Sequence, residues 1–257
     1  LIIDRTFATH LSPGTAASLA FGGNLFVTIT SVFIVAMTTV VFPRLSQYCL
    51  DRDFERIRFL LGQVFKMLLF ILLPYLLLVI CYHKEIIALV YQRGAFGAES
   101  TAMTSLAFWF YSFAVLGYLC QEVYNRVFYA LKRFKMPMIA SGCCILINLG
   151  LDYVLFRPAG IGGLSLSTSA TMLLYAVWMS VMLTREIGAF INRDLILYLF
   201  KLLLPALAML GVVWGFDFLS IGRSSLGFLL PLAASMAAYL GIAYLLGLIK
   251  VFFLKEV

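Results

Sequence analysis

Long apolar runs alternate with short loops that hold most of the charge. Seven runs are long enough to cross a bilayer, which takes about 20 residues as helix. They cover 15–41, 59–82, 100–121, 136–156, 161–184, 195–216 and 224–249. The first carries no charged residue, the second is interrupted by Pro74, and the sixth by Pro205. Lipid cannot satisfy open backbone groups, so helices are the expected form; a barrel needs short alternating strands, and that pattern is missing. Residues 1–12 read as the tail of a preceding helix. The chain starts at Leu1 and not at Met, which reads as a fragment lacking an N-terminal part. The fold class predicted is an all-α integral membrane protein of about seven transmembrane helices plus an N-terminal helix stub. Residues 13–190 form a bundle of five spans, and 191–257 the last two.

Composition strengthens this reading. Of 257 residues, 63% are hydrophobic and 12% charged, against about 25% charged in an ordinary soluble domain. The net charge of +7 does not point to nucleic acid, because the basic residues sit in loops between apolar runs and mark topology instead. One side carries Arg44, Arg52, Arg56 and Arg58, then Arg126, Lys132, Arg133 and Lys135, then Arg185, Arg193, Lys250 and Lys255. The other carries only Lys84, Arg93, Arg157 and Arg223. The bias predicts a cytoplasmic C-terminus and an outward turn at 11–14. Two loops have amphipathic character. Residues 43–58 predict an interfacial helix, and 84–96 a short outward helix ended by Gly94.

Candidate chemistry is sparse. Glu122 and Arg126 lie at i,i+4 and can pair on one helix face. Asp152 lies near the outer end of the fourth span, where it could snorkel to water. Lys66 and Lys201 each lie about two turns inside a helix end, within reach of the interface along their stems. Asp4 and Arg5 lie on the stub; Arg5 could meet an anionic substrate, and Asp4 could equally neutralise it. Asn24, beside Gly22 and Gly23, interrupts the first span. Gly162, Gly163, Ser165, Ser167, Thr168 and Ser169 open the fifth span with small residues suited to close helix packing. Cys81, Cys120, Cys143 and Cys144 read as small buried hydrophobes. No metal-ligand spacing, cofactor motif, nucleotide-binding loop or hydrolase signature occurs, which speaks against an enzyme and against a primary pump.

Several segments, in order, resemble the MurJ/MviN family of lipid II flippases within the multidrug/oligosaccharidyl-lipid/polysaccharide exporter superfamily. They are residues 3–8 (IDRTFA) followed by 11–15 (LSPGT), 39–46 (TVVFPRLS), 89–96 (LVYQRGAF), 127–131 (VFYAL) and 163–169 (GLSLSTS). The resemblance implies the C-terminal lobe of a fourteen-helix, two-lobed fold. It also implies a central cavity for the head group of lipid II, or of another polyprenyl-diphosphate-linked glycan. The last two helices would form a groove for the lipid tail. The partners implied are that substrate, membrane lipids and a missing N-terminal lobe; the location implied is the bacterial cytoplasmic membrane. Arg5, Asn24 and Asp4 are then the substrate-binding candidates. The family's usual helix-eight arginine has no counterpart in residues 21–25 (FGGNL). A polysaccharide-lipid flippase, a drug exporter and a non-transporting envelope scaffold are the rival readings.

Overall fold

The computed structural model describes residues 2–219 and 227–252. All regular structure among them is helical. The elements are α1 (Ile2–Ala8), α2 (Thr15–Val40), α3 (Phe42–Leu50), α4 (Phe54–Tyr91), α5 (Ala98–Ala130), α6 (Lys135–Ile187), α7 (Arg193–Phe218), α8 (Leu229–Leu245) and the 3₁₀ turn η1 (Leu248–Phe252).

Two elements are too long for one crossing and break where backbone chemistry allows it. At 1.5 Å per residue, the 53 residues of α6 would extend about 80 Å, far beyond a hydrocarbon layer of about 30 Å. Gly160 divides it with φ 53° and ψ −132°, two residues after Pro158; that backbone conformation favours glycine. The halves before and after it, here α6a and α6b, fold back on each other, since Ser167 reaches Asp152 and Asn148. In α4 the break is at Tyr82, with φ −125° and ψ 21°. The part of α4 beyond it runs to Tyr91, and Gly94 closes the turn with φ 58°. The seven runs read from hydropathy then correspond to α2, α4 up to its break, α5, α6a, α6b, α7 and α8. The start expected for the seventh span, including Arg223 and Ser224, lies outside the described residues, as does Lys255.

The interfacial helix is shorter than the 43–58 expected. α3 ends at Leu50, and Arg52 takes a left-handed conformation with φ 53°. Glu55, Arg56 and Arg58 therefore belong to the first turns of α4. The reason is local: Asp53 accepts a bond from the Arg56 amide and starts a new helix.

The chain divides into two compact units. Unit 1 contains residues 1–57 and 91–188. In it, α5 packs against α2 and α6, and α1 packs against α2 and α6. Gly117 lets α5 approach α6b closely, because a β-carbon there would lie 2.5 Å from the Met172 backbone. Unit 2 contains residues 58–90 and 189–257. Its interior joins Phe70 of α4 to Tyr198, Leu202 and Met209 of α7 and to Tyr239 and Ala243 of α8. The second span is thus grouped with the last two, whereas its order in the chain had placed it with the other four. Side chains meeting across helices decide such a grouping, and order along the chain does not.

Candidate functional site

The polar centre of unit 1 forms around two carboxyl groups that the apolar pattern gives no reason to bury. Asp4 on α1 is fully buried. Its Oδ2 accepts hydrogen bonds from Thr168 Oγ1 at 2.5 Å and from Tyr111 Oη at 3.3 Å. Asp152 on α6a is also fully buried. Ser167 donates its hydroxyl to Asp152 Oδ1, and Asn148 Nδ2 donates to Ser167 Oγ at 3.3 Å. The two acids meet through the adjacent hydroxyl residues Ser167 and Thr168 of α6b. Asp152 Oδ2 is buried and accepts no hydrogen bond among the described residues.

Local sequence explains how each group arrives. Asn148 and Asp152 are at i,i+4 on α6a, so they share a face. Ser167 and Thr168 are adjacent on α6b, and the hairpin at Gly160 turns both toward that face. Tyr111 comes from the middle of α5 and is fully buried. The cluster therefore draws on α1, α5, α6a and α6b.

Buried charge is tolerated only when something compensates it. The donors here are all oxygens apart from the Asn148 amide, and that set suits a shared proton or a hard cation. Asp4, Asp152, Asn148 and Thr168 are the residues that would hold either one. A soft-metal site does not fit, since no group of three or more His, Cys, Asp and Glu forms among the described residues.

Arg5 and Asn24 occupy a different place. Arg5 is exposed, as are Thr6 and Thr9 on α1. Asn24 is exposed on α2, followed at helical spacing by the exposed Thr28 and Ser31. Thr28 donates to the Asn24 carbonyl at 2.8 Å and Ser31 to the Thr28 carbonyl at 2.7 Å. On α2 these polar groups form a narrow stripe flanked by the exposed Val27 and Val32, and α1, which exposes Arg5, packs on the same helix. Elsewhere the surface of unit 1 shows bare hydrocarbon, such as Met138, Leu146 and Tyr153 of α6a, each about 70% exposed. So Asp4 and Arg5, adjacent in sequence, part company: the acid turns into the core and the cation turns outward.

Glu122 and Arg126 pair through Oε2 and Nη2 at 3.5 Å, about a quarter exposed. The Arg126 guanidinium also lies 5.3 Å from the Phe42 ring centroid, which ties α3 to the end of α5. Nearby on α3, burial pushes the Cys49 thiol up to about 11.

Asp152 was expected to snorkel and is instead fully buried. The hydroxyls of Ser167 and Thr168 were expected to serve close packing; they bond the two acids. Asn148 and Tyr111 were not anticipated as members. The Asn148–Asp152 spacing, beside a hydroxyl-rich following span, was the only available signal.

Comparison with known proteins follows the same outline. A family model described as lipid II flippase MurJ matches residues 1–235. A probable lipid II flippase MurJ of Treponema pallidum is 29% identical over 185 residues, covering 72% of this chain and 35% of that protein. One from Bdellovibrio bacteriovorus is 24% identical over 250 residues, covering 96% of this chain and 48% of that protein. A solved structure of lipid II flippase MurJ in an inward closed conformation superposes with TM-score 0.81 at 24% identity, covering 95% of this chain and 50% of that one. A transporter of the MOP superfamily from Pyrococcus furiosus superposes with TM-score 0.54 at 15% identity, covering 98% of this chain and 63% of that one. The chain spans about a third to a half of the length of these curated relatives. With a family model matched from residue 1 to residue 235, the chain belongs to the lipid II flippase MurJ family.

Proposed function

We propose that this chain forms one lobe of a lipid II flippase of the bacterial cytoplasmic membrane, with its C-terminus cytoplasmic, acting by alternating access and not as an enzyme. The observation that carries the reading is the exposed polar face of α1 and α2. Arg5 on α1 and Asn24, Thr28 and Ser31 on α2 present exposed polar groups on apolar helices. A bilayer penalises such a face, so it borders an aqueous cavity whose opposite wall belongs to the other half of a longer protein. Arg5 then offers a planar cation to the diphosphate of the lipid-linked substrate, and Asn24 offers an amide to the sugar. The polyprenyl tail stays in the bilayer, beside the last two helices.

The acid cluster would serve this cycle from behind. It ties α1, which carries Arg5, to α5 and both halves of α6. Gain or loss of a proton or hard cation there would change how firmly α1 is held, and so where Arg5 lies. That is the kind of two-state element a rocking transporter needs.

Complementation tests the reading. A bacterium depleted of its own flippase would receive the full-length gene encoding this lobe, unaltered or with Arg5→Ala or Asn24→Ala. Rescue of growth and lipid II export by the unaltered gene, lost with Arg5→Ala at equal membrane abundance, is the expected result. Full rescue by Arg5→Ala would remove Arg5 from substrate binding. No rescue by the unaltered, membrane-inserted protein would overturn the flippase reading.

A further inference from the structure

Phe21 heads the polar stripe of α2. From it, steps of three, four and three residues lead to Asn24, Thr28 and Ser31, which puts all four on one face of the helix. The opposite face is occupied. A β-carbon on Gly22 would lie 3.2 Å from the Ala107 side chain of α5. Phe26 is buried, its ring centroid 5.8 Å from that of Tyr111 on the same helix. The stripe therefore turns away from α5. Phe21 is 37% exposed, an aromatic ring at the head of a row of amide and hydroxyl groups.

Two more rings meet it there, and all three belong to unit 1. The Tyr91 centroid, at the end of α4, lies 5.1 Å from that of Phe21. Phe96 stands edge-on to Phe21 at 5.4 Å, and Tyr91 and Phe96 are 5.8 Å apart. The turn between them explains the trio. Gly94 takes a left-handed conformation with φ 58°, and the Phe96 amide donates to the Arg93 carbonyl at 3.1 Å. The chain thus returns Phe96 to the side of Tyr91. The Tyr91 hydroxyl donates to the Phe21 carbonyl at 3.4 Å, which fastens the turn to α2. Tyr91 and Phe96 are only half-buried, and Gln92 and Arg93 on the same turn are exposed.

Open aromatic faces bordered by amide donors match one part of a lipid-linked glycan. A sugar ring has an apolar C–H face, which packs on the negative face of an aromatic ring. Its rim of hydroxyls needs amide and guanidinium partners. A diphosphate has no apolar face to place on Phe21, and a polyprenyl chain has no use for Asn24. We infer that Phe21, backed by Tyr91 and Phe96, is a stacking platform for a sugar ring of the substrate, with Asn24 bonding its hydroxyls. The inference rests on the flippase reading and deepens it, by assigning the saccharide to the N-terminal end of the α2 stripe.

Binding of two lipids to the full-length protein in nanodiscs, measured by native mass spectrometry, tests it. Lipid II carries the sugars; undecaprenyl diphosphate offers the diphosphate and the tail without them. Phe21→Leu keeps an apolar side chain and removes the aromatic face. It should weaken lipid II binding about fivefold and leave undecaprenyl diphosphate within about twofold of wild type. Phe21→Tyr should restore lipid II binding. Phe96→Leu, on the exposed turn, should give the same selective loss to a smaller extent, and it decides the matter if Phe21→Leu fails to insert. Equal weakening of both lipids would make the rings a clamp for the turn alone and overturn the inference. Unchanged lipid II binding by both leucine variants would overturn it as well, while leaving the flippase reading intact. A wild-type protein that binds neither lipid would remove the flippase reading, and the platform with it.

Discussion

Unit 1 and unit 2 are both built from apolar spans, yet their interiors are closed by opposite chemistries. Unit 1 gathers Asp4, Asp152, Ser167, Thr168 and Tyr111 at its centre. Unit 2 gathers Phe70, Leu202, Met209 and Tyr239, and the Tyr239 hydroxyl crosses that interior to the Phe70 carbonyl at 2.7 Å. In lipid the apolar interior gains little from association, because tails solvate it as well as neighbouring helices do. Shape and a few hydrogen bonds must then hold the helices together. Unit 1 uses more of those bonds, and they converge on groups that can change charge. Unit 2 is closed instead by aromatic rings that meet at an angle, Phe70 and Tyr239 with centroids 5.5 Å apart.

The contrast can be broken in graded steps, each read by thermal unfolding of the chain in detergent. Trp109 and Trp178 lie in unit 1 and Trp214 in unit 2, so fluorescence of variants keeping one tryptophan reports each unit by itself. The largest loss is expected from Gly117→Leu, since the Met172 backbone has nowhere to move; overpacking should cost about 3 kcal/mol. An unchanged melting point would show that the α5–α6b contact is looser than the geometry demands. Asp152→Ala comes next. It removes the carboxyl that the Ser167 hydroxyl bonds and leaves that hydroxyl only the Leu164 carbonyl; the lost bond to an acid should cost unit 1 about 2 kcal/mol, with Asp152→Asn recovering most of it. Tyr239→Phe should cost unit 2 about 1 kcal/mol, one neutral hydrogen bond. If it costs more than Asp152→Ala, unit 2 and not unit 1 depends on polar closure, and the contrast reverses. Glu122→Gln should stay within about 0.5 kcal/mol, because the pair is partly solvated and its geometry is long.

Much of the fold was legible in the chain. The break between the fourth and fifth spans fell at residues 157–160, where Pro158 and Gly160 stand. The Glu122–Arg126 spacing alone placed both groups on one face. Other features were not legible because they depend on distant partners. Thr168 meets Asp4 from 164 positions away, and Tyr239 meets Phe70 from 169. Helical periodicity states which face a residue occupies. It does not state which helix covers that face. So Asp152, near a span end, read as a group reaching for water, and the second span read as part of the bundle around it.

Hydropathy is a property each segment carries alone, and the cost of exposing backbone to lipid applies to each segment alone. For that reason the sequence by itself determined that this is an all-helical, multi-pass membrane protein. The direction in which a polar side chain turns is a property of pairs. Asp4 is buried because Thr168 and Tyr111 wait for it, while Arg5 stays outside because no comparable set of acceptors receives it there. Only the tertiary structure decided that two acids from separate helices are buried in one hydroxyl-lined cluster and that the Lys66 ammonium lies 6.0 Å from the Tyr198 ring centroid. Each depends on a contact between elements whose order in the chain carries no record of it.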